Sequence, residues 1–244
     1  MTNKLIIEDW GRIGYQEAWD LQAQYQQQLV DRKRVARQNG EVHDTGHHFL
    51  ILCEHDPVFT LGKSGDDEHL LVNEDYLKNR GITFHRINRG GDITYHGPGQ
   101  LVVYPIMDLE FIFTDVHRYI RTLEEIVIRT MADYGLEGRR IKDYTGVWTG
   151  AHPDRKICAI GVHLSRWVSM HGLAFNIDTD LSYFDLIVPC GINQSGMAVT
   201  SLSQELKRNV AIGEVKSRLI HHFTRQFKIS ECEERKNQPT PLRS

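Results

Sequence analysis

Cys190 sits in "LIVPCGINQSG", between Pro189 and Gly191. A lone cysteine is most often a small buried hydrophobe. Here proline fixes φ on one side, and glycine admits a second backbone or a substrate on the other. Such a turn aims a thiol near a surface and packs it poorly. A reactive thiol needs a cation that favours the thiolate. Lys156, at the head of the apolar run "RKICAIGV", is a candidate. Lysines at strand ends commonly snorkel to solvent, and the sequence alone does not bring Lys156 to Cys190. A third feature is the glycine-rich "RGGDITYHGPGQ", with Arg89 and His96, directly after an apolar strand. It is no dinucleotide fingerprint, because a strand follows where a helix should. It reads either as a surface turn or as a loop whose backbone approaches a ligand beside a guanidinium and an imidazole.

Other reactive residues carry weaker signals. His43, His47, His48, Cys53 and His55 straddle a turn and a strand without a recognised ligand spacing, so no metal is expected. His221 and His222 are adjacent on a helix and do not share a face. The basic runs Arg32 to Arg37 and Arg139-Arg140 read as solvated faces, or as a landing place for an acidic protein partner. The 244 residues are 40% hydrophobic and 25% charged with net charge -3. That is the composition of a globular domain, without a basic field for nucleic acid. Four cysteines without CxxC spacing predict a reducing compartment. No stretch has the apolar length of a membrane span, and the N-terminus lacks signal or transit character. The expected location is the cytoplasm.

The elements that must position these residues are a strand at "KLIIED", a helix over residues 15–37 and strands at "HHFLILCEH" and "VFTLG". A short helix at "NEDYLKNRG" and the strand "ITFHRIN" lead to the glycine-rich loop and the strand "LVVYPIMDL". "VHRYIRTLEEIVIRTMADYG" is amphipathic through Val116, Ile120, Leu123, Val127 and Tyr134. Strands follow at "GVWTG", "KICAIGVHLS" and "MHGLAFNID", then a last helix at "AIGEVKSRLIHHFTRQF". Several strands succeed one another directly, which predicts an α+β domain with a mixed or antiparallel sheet. Residues 1–230 form one domain, and residues 231–244 are expected to be a polar, flexible tail.

Together, "RGGDITYHGPGQLVVYPI", "KICAIGVHLSRWVSMHGLAFN" and "FDLIVPCGI", with "GMAVTSL" after them, resemble the lipoyl(octanoyl) transferases. The blocks occur in that family's order from "EHDPVFTLG" to "VTSL". The resemblance implies a mixed-sheet α+β domain of the biotin/lipoate protein ligase catalytic type. It implies transfer of an octanoyl or lipoyl group from acyl carrier protein to a lysine of lipoyl domains. The acceptors would be 2-oxoacid dehydrogenases and the glycine cleavage H protein, with no cofactor, nucleic acid or membrane involved. Cys190 matches the acyl-accepting nucleophile and Lys156 the lysine that activates it. The first substrate-binding segment matches Arg89, Gly90, Gly91, Asp92, Ile93, Thr94, Tyr95 and His96. Ala159, Ile160 and Gly161 match the second, and Gly172, Leu173 and Ala174 the third. Cys158, two positions from Lys156 and on the same strand face if the strand is regular, is a possible second thiol.

Three other readings compete. An ATP-dependent lipoate or biotin ligase would share the fold without needing Cys190. A binding module would leave the thiol unreactive. A cysteine hydrolase would use His96 as a base but lacks an evident orienting residue.

Overall fold

A computed structural model describes residues 3–40, 46–188 and 197–236. The strands are β1 (Asn3–Arg12), β2 (Gly46–Glu54), β3 (Val58–Leu61), β4 (Thr83–Arg86), β5 (Ile93–His96) and β6 (Gln100–Ile106). They continue with β7 (Arg139–Ile141), β8 (Tyr144–Thr149), β9 (Asp154–Ser165), β10 (Val168–Asn176), β11 (Met197–Val199) and β12 (Glu231–Lys236). The helices are α1 (Tyr15–Gln38), α2 (Glu74–Asn79), α3 (Val116–Ala132), α4 (Leu202–Leu206) and α5 (Ile212–Gln226).

The main sheet runs β12-β1-β2-β6-β10-β9-β8-β7, with β11 also against β9. β12, β1 and β2 are parallel, and the ladders from β2 through β6, β10, β9, β8 and β7 are antiparallel. The sheet is therefore mixed, as the α+β expectation requires. Period-two alternation sorts its side chains. Leu5, Ile7, Leu50, Leu52, Leu101 and Val103 pack with α3 and α5. Ile6, Phe49, Ile51, Val102 and Tyr104 pack with Tyr25 and Leu29 of α1 on the other face. A small sheet, β4-β3-β5, packs with Leu77 of α2 and with Phe184 in the turn Leu181–Leu186.

α3 begins at Asp115, whose carboxylate accepts the Arg118 N–H at 2.9 Å, satisfying one of the open donors of the first turn. Its buried stripe is Tyr119, Leu123, Ile126, Val127 and Met131. Val116, counted with that stripe on sequence, is instead 38% exposed. Glu124, also on the buried side, is fully enclosed and accepts from Arg121, Arg140 and the Gly146 N–H. Three donors keep that charge tolerable in the interior and fasten β8 to α3.

Two expectations need correction. The glycine-rich loop is not all loop, because Ile93–His96 pairs with β3 as β5. The tail is not flexible from residue 231, because Glu231–Lys236 pairs in parallel with β1 from Lys4 to Asp9. Charged side chains do not prevent pairing at an edge, where backbone groups form the ladder and charges face water. Residues 237–244 lie outside the described residues.

Candidate active site

Arg89 to Thr94, His96, Lys156, Ala159 to Gly161 and Gly172 to Ala174 all border one cavity of about 400 Å³. The second and third segments are one structural feature. Ala159 pairs with Ala174, Ile160 with Leu173 and Gly161 with Gly172 as consecutive rungs of the β9–β10 ladder. β8 pairs with β9 only as far as Cys158, and the loop before β5 takes up the edge beyond it. There the Gly90 N–H donates to the Val162 carbonyl at 3.1 Å. Gly161 makes this approach possible, since a Cβ there would lie 2.9 Å from the Gly90 carbonyl oxygen.

The loop is pinned from below. Arg89 is buried, and its Nη2 donates to the Thr60 carbonyl at 2.7 Å and to Thr60 Oγ1 at 3.0 Å. The N–H groups of Gly62, Lys63 and Ser64 donate to the carbonyls of Asp92, Arg89 and Gly91. Asp92 accepts from the Ile93 N–H at 2.7 Å and meets His69 Nδ1 at 2.6 Å. That carboxylate raises the pKa of the His69 imidazole. Tyr95 is the one member of the first segment that does not border the cavity. Its ring stacks on Tyr183 at 4.6 Å in the core of the small sheet.

His96 is held neutral, with burial driving its pKa down to about 3. The Gln100 amide donates to the Tyr95 carbonyl and to Asn176 Oδ1, which leaves its Oε1 to accept from His96 Nδ1 at 2.8 Å. The proton therefore resides on Nδ1 and Nε2 is the acceptor. Its orienting partner is an amide, not the carboxylate of a hydrolase relay, and so basic an acceptor role at neutral pH is not favoured by burial.

Sequence reasoning missed several lining residues. Tyr15, Tyr104, His171 and Asn176 complete the polar wall. Tyr104 donates to His55 Nε2 at 2.7 Å, while His55 Nδ1 donates to the Ile13 carbonyl at 2.8 Å. His171 has φ 62, a left-handed conformation that costs a non-glycine residue about 1–3 kcal/mol. Its N–H donates to Gln22 Oε1 and its Nε2 meets Asn88 Oδ1 at 2.7 Å. Tyr104 lay on an expected strand whose alternation could have pointed to it; Gln100, read as the end of the glycine-rich loop, and His171 had no such signal.

Lys156 is half-buried, with its ammonium 5.1 Å from the centre of the Trp148 ring. Cys158 also borders the cavity but is completely buried in the cluster with α3 and α5, and burial raises its thiol pKa against the opposing pull of the Lys156 charge. The two are not on one face. Lys156 pairs with Trp148 and Cys158 with Val147, and a bulge at Ile157 absorbs the shift. Adjacent residues of β8 point to opposite faces, so their partners do as well.

Cys190 lies outside the described residues. Its segment leaves at Val188, whose N–H donates to the His69 carbonyl at 2.8 Å, and returns at Met197 in β11. There Val199 pairs with Lys156, and the Thr200 N–H donates to the Lys156 carbonyl at 3.0 Å. Phe184 and Val199, on the two flanks, both border the cavity.

The basic runs carry internal ion pairs while Arg34 and Arg37 remain exposed. Lys33 is buried against Asp108 at 2.8 Å, Arg37 meets Glu110, Arg139 meets Asp154, and Arg140 meets Glu124 and Glu125. Among the described residues no group of three His, Cys, Asp or Glu side chains could hold a metal ion. No described helix is long and apolar enough to cross a membrane.

The catalytic-domain model of the lipoyl protein ligase A/B family matches residues 15–224. An octanoyltransferase of Flavobacterium johnsoniae is 50% identical over 230 residues, covering 93% of this chain and 98% of the relative. One from Solibacter usitatus is 48% identical over 221 residues, 91% of this chain and 92% of the relative. In fold, the chain is similar to a bipartite lipoate protein ligase of Thermoplasma acidophilum, with TM-score 0.69 at 19% identity over 98% of this chain and 88% of that one. A lipoate-protein ligase A bound with ATP gives TM-score 0.69 at 19% identity, over 98% of this chain and 90% of that one. The chain belongs to the lipoyl protein ligase A/B catalytic-domain family, within it to the octanoyltransferases, and is an acyltransferase of protein lipoylation.

Proposed function

We propose that the enzyme moves an octanoyl or lipoyl group from acyl carrier protein to the lysine of a lipoyl domain, through a thioester on Cys190. The observation that carries this reading is the meeting of Lys156 with all three matched segments around one cavity. Phe184 and Val199, which precede and follow the segment bearing Cys190 in sequence, border the same cavity. In this reading lipoyl domains of 2-oxoacid dehydrogenases and the glycine cleavage H protein are the acceptors, and the cytoplasm is the setting.

In the first half-reaction Lys156, as the amine, takes the Cys190 proton. The thiolate attacks the donor's thioester carbonyl, and the carbon–sulfur bond to pantetheine breaks. The Lys156 ammonium returns the proton to the departing thiolate. One thioester replaces another at little net cost, and the enzyme is left acylated. In the second half-reaction the acceptor amine attacks the same carbonyl carbon. An amide forms, the Cys190 sulfur leaves, and the amine's proton passes through Lys156 back to that sulfur. The donor thioester carries its own activation, so ATP is not needed.

The ATP-dependent ligases that share the fold are the second reading, favoured by the likeness to a lipoate-protein ligase bound with ATP. Intact mass after exposure to octanoyl carrier protein separates the two. The proposal expects a single octanoyl adduct on Cys190, removed by hydroxylamine and absent from Cys190→Ser. Modification of a lipoyl domain only with free octanoate and ATP would favour the ligase.

A further inference from the structure

We infer that Trp148 is a positioning residue that holds the Lys156 ammonium at the cavity through the face of its indole. The inference rests on the proposed role of Lys156 and names what sets its charge. The Lys156 nitrogen lies 5.1 Å from the ring centre, within the range in which a cation is attracted by an indole.

Three features make the contact a built one. Trp148 and Lys156 are direct partners across the β8–β9 ladder, and the bulge at Ile157 is what turns Lys156 away from the face of its near neighbour Cys158. The ring itself is enclosed by its neighbours. Trp148 is completely buried, and Tyr144, which borders the cavity, meets it edge-on at 6.0 Å and 68°. Gly146, two residues before Trp148, supplies the space for the lysine stem. A Cβ at Gly146 would lie 3.0 Å from Lys156 Cε and 2.5 Å from the Cys158 carbonyl oxygen, and its φ of 122 suits glycine. The Gly146 N–H is fixed by buried Glu124 at 3.0 Å. Glu124, Gly146 and Trp148 thus form a seat of fixed depth for one ammonium.

An indole face stabilises the charged lysine and not the neutral amine. Removing it lowers the Lys156 pKa and shifts the ammonium away from the cavity. The test is an NMR titration of protein labelled with 13Cε-lysine, with the Lys156 signal identified by its loss in Lys156→Arg. Trp148→Leu should lower that pKa by about 0.4 to 1.5 and abolish the ring-current displacement of the Lys156 methylene signal. Trp148→Phe should restore part of both. The basic and acidic limbs of the transfer rate against pH should move in the same order. Because a cavity in a core destabilises, a second measurement keeps the native shape. Replacing the four tryptophans by mono-, di- and trifluorotryptophan drains the ring face stepwise, and the Lys156 pKa should fall stepwise with it.

A Lys156 titration identical in wild type, Trp148→Leu and the fluorinated proteins would overturn the inference. So would equal effects of Trp148→Leu and Trp148→Phe with none from fluorination, which is the signature of packing alone. Failure of the thioester reading is seen separately, as full transfer by Cys190→Ser, whatever the Lys156 titration does.

Discussion

Lys156 and Cys158, two residues apart on β9, project from opposite faces of the sheet because their β8 partners, Trp148 and Val147, are consecutive. The nearer thiol in sequence therefore turns into the core, although Cys158 still borders the cavity that Lys156 lines. It is buried with α3 and α5, where desolvation disfavours a thiolate. Cys158→Ala should keep transfer within about twofold of wild type while losing roughly 1–2 kcal/mol of stability from the cavity. Steady-state rates and urea midpoints check both. A hundredfold loss of rate with unchanged stability would give Cys158 a chemical role.

Lys156→Arg keeps a positive charge that does not exchange a proton near neutrality. It should fold, bind carrier protein and transfer about a hundredfold to ten-thousandfold more slowly. Lys156→Ala should in addition slow alkylation of Cys190 at neutral pH, measured by iodoacetamide labelling mapped by mass. Near-normal turnover of Lys156→Arg would remove proton transfer from its role.

Much of this arrangement was legible in the sequence. Long periodic segments such as α1, α3 and β6 declare themselves because burial imposes their period. β5 did not, since its four residues stand among glycines that read as turn and its partner β3 is distant in sequence. β12 did not, since "ECEERK" carries no apolar signal and exists as a strand through the backbone of β1. The bulge at Ile157 is a property of a ladder, and no single strand encodes it. It is also the reason that simple alternation misplaces Cys158 relative to Lys156. Family resemblance supplied the matched segments; that two of them are facing rungs of β9 and β10 is a fact of register.

The β12 strand bears on stability. A chain ending at Ser230 would leave β1 as a bare edge and lose the Lys4–Glu233 ion pair. Most of the loss should come from the ladder and the order it imposes, because half-exposed ion pairs contribute little. A lower thermal midpoint and faster amide exchange in β1, with transfer chemistry retained below that midpoint, are expected. An unchanged midpoint would make β12 dispensable.

Four buried histidines couple the fold to pH. Burial depresses His48 and His55 from 6.5 to about 4, and His96 and His171 from 6.5 to about 3. The unfolded chain binds their protons below about 6.5 while the folded protein does not. Stability from each is thus fully present above that pH and lost as pH falls toward the folded value. Each contributes a slope of up to about 1.4 kcal/mol per pH unit. Urea midpoints should fall steeply between pH 6.5 and 4.5 and stay flat from 7 to 8, apart from other titrations. A flat response from 7 to 5 would show that these imidazoles are solvated in the folded state.

Gly161 sets the distance between β9 and the Gly90 loop. Gly161→Ala must push back the Gly90 carbonyl, 2.9 Å from the new Cβ. The loop's bond to Val162 should loosen and transfer should weaken about tenfold or more, chiefly through acyl-donor binding. Separate KM and kcat values for octanoyl carrier protein decide the matter, and unaltered kinetics would take this contact out of the site.

The central claim is that a Cys190 thioester lies on the reaction path, and a chase of the isolated acyl-enzyme tests it most directly. Octanoyl-enzyme, freed of carrier protein and ATP, is mixed rapidly with a lipoyl domain, and both masses are followed in time. The account predicts that the octanoyl mass leaves Cys190 and appears on the acceptor lysine with one rate constant, no slower than steady-state turnover. An adduct that persists, or that departs only by hydrolysis while fresh donor still acylates the acceptor, would contradict it.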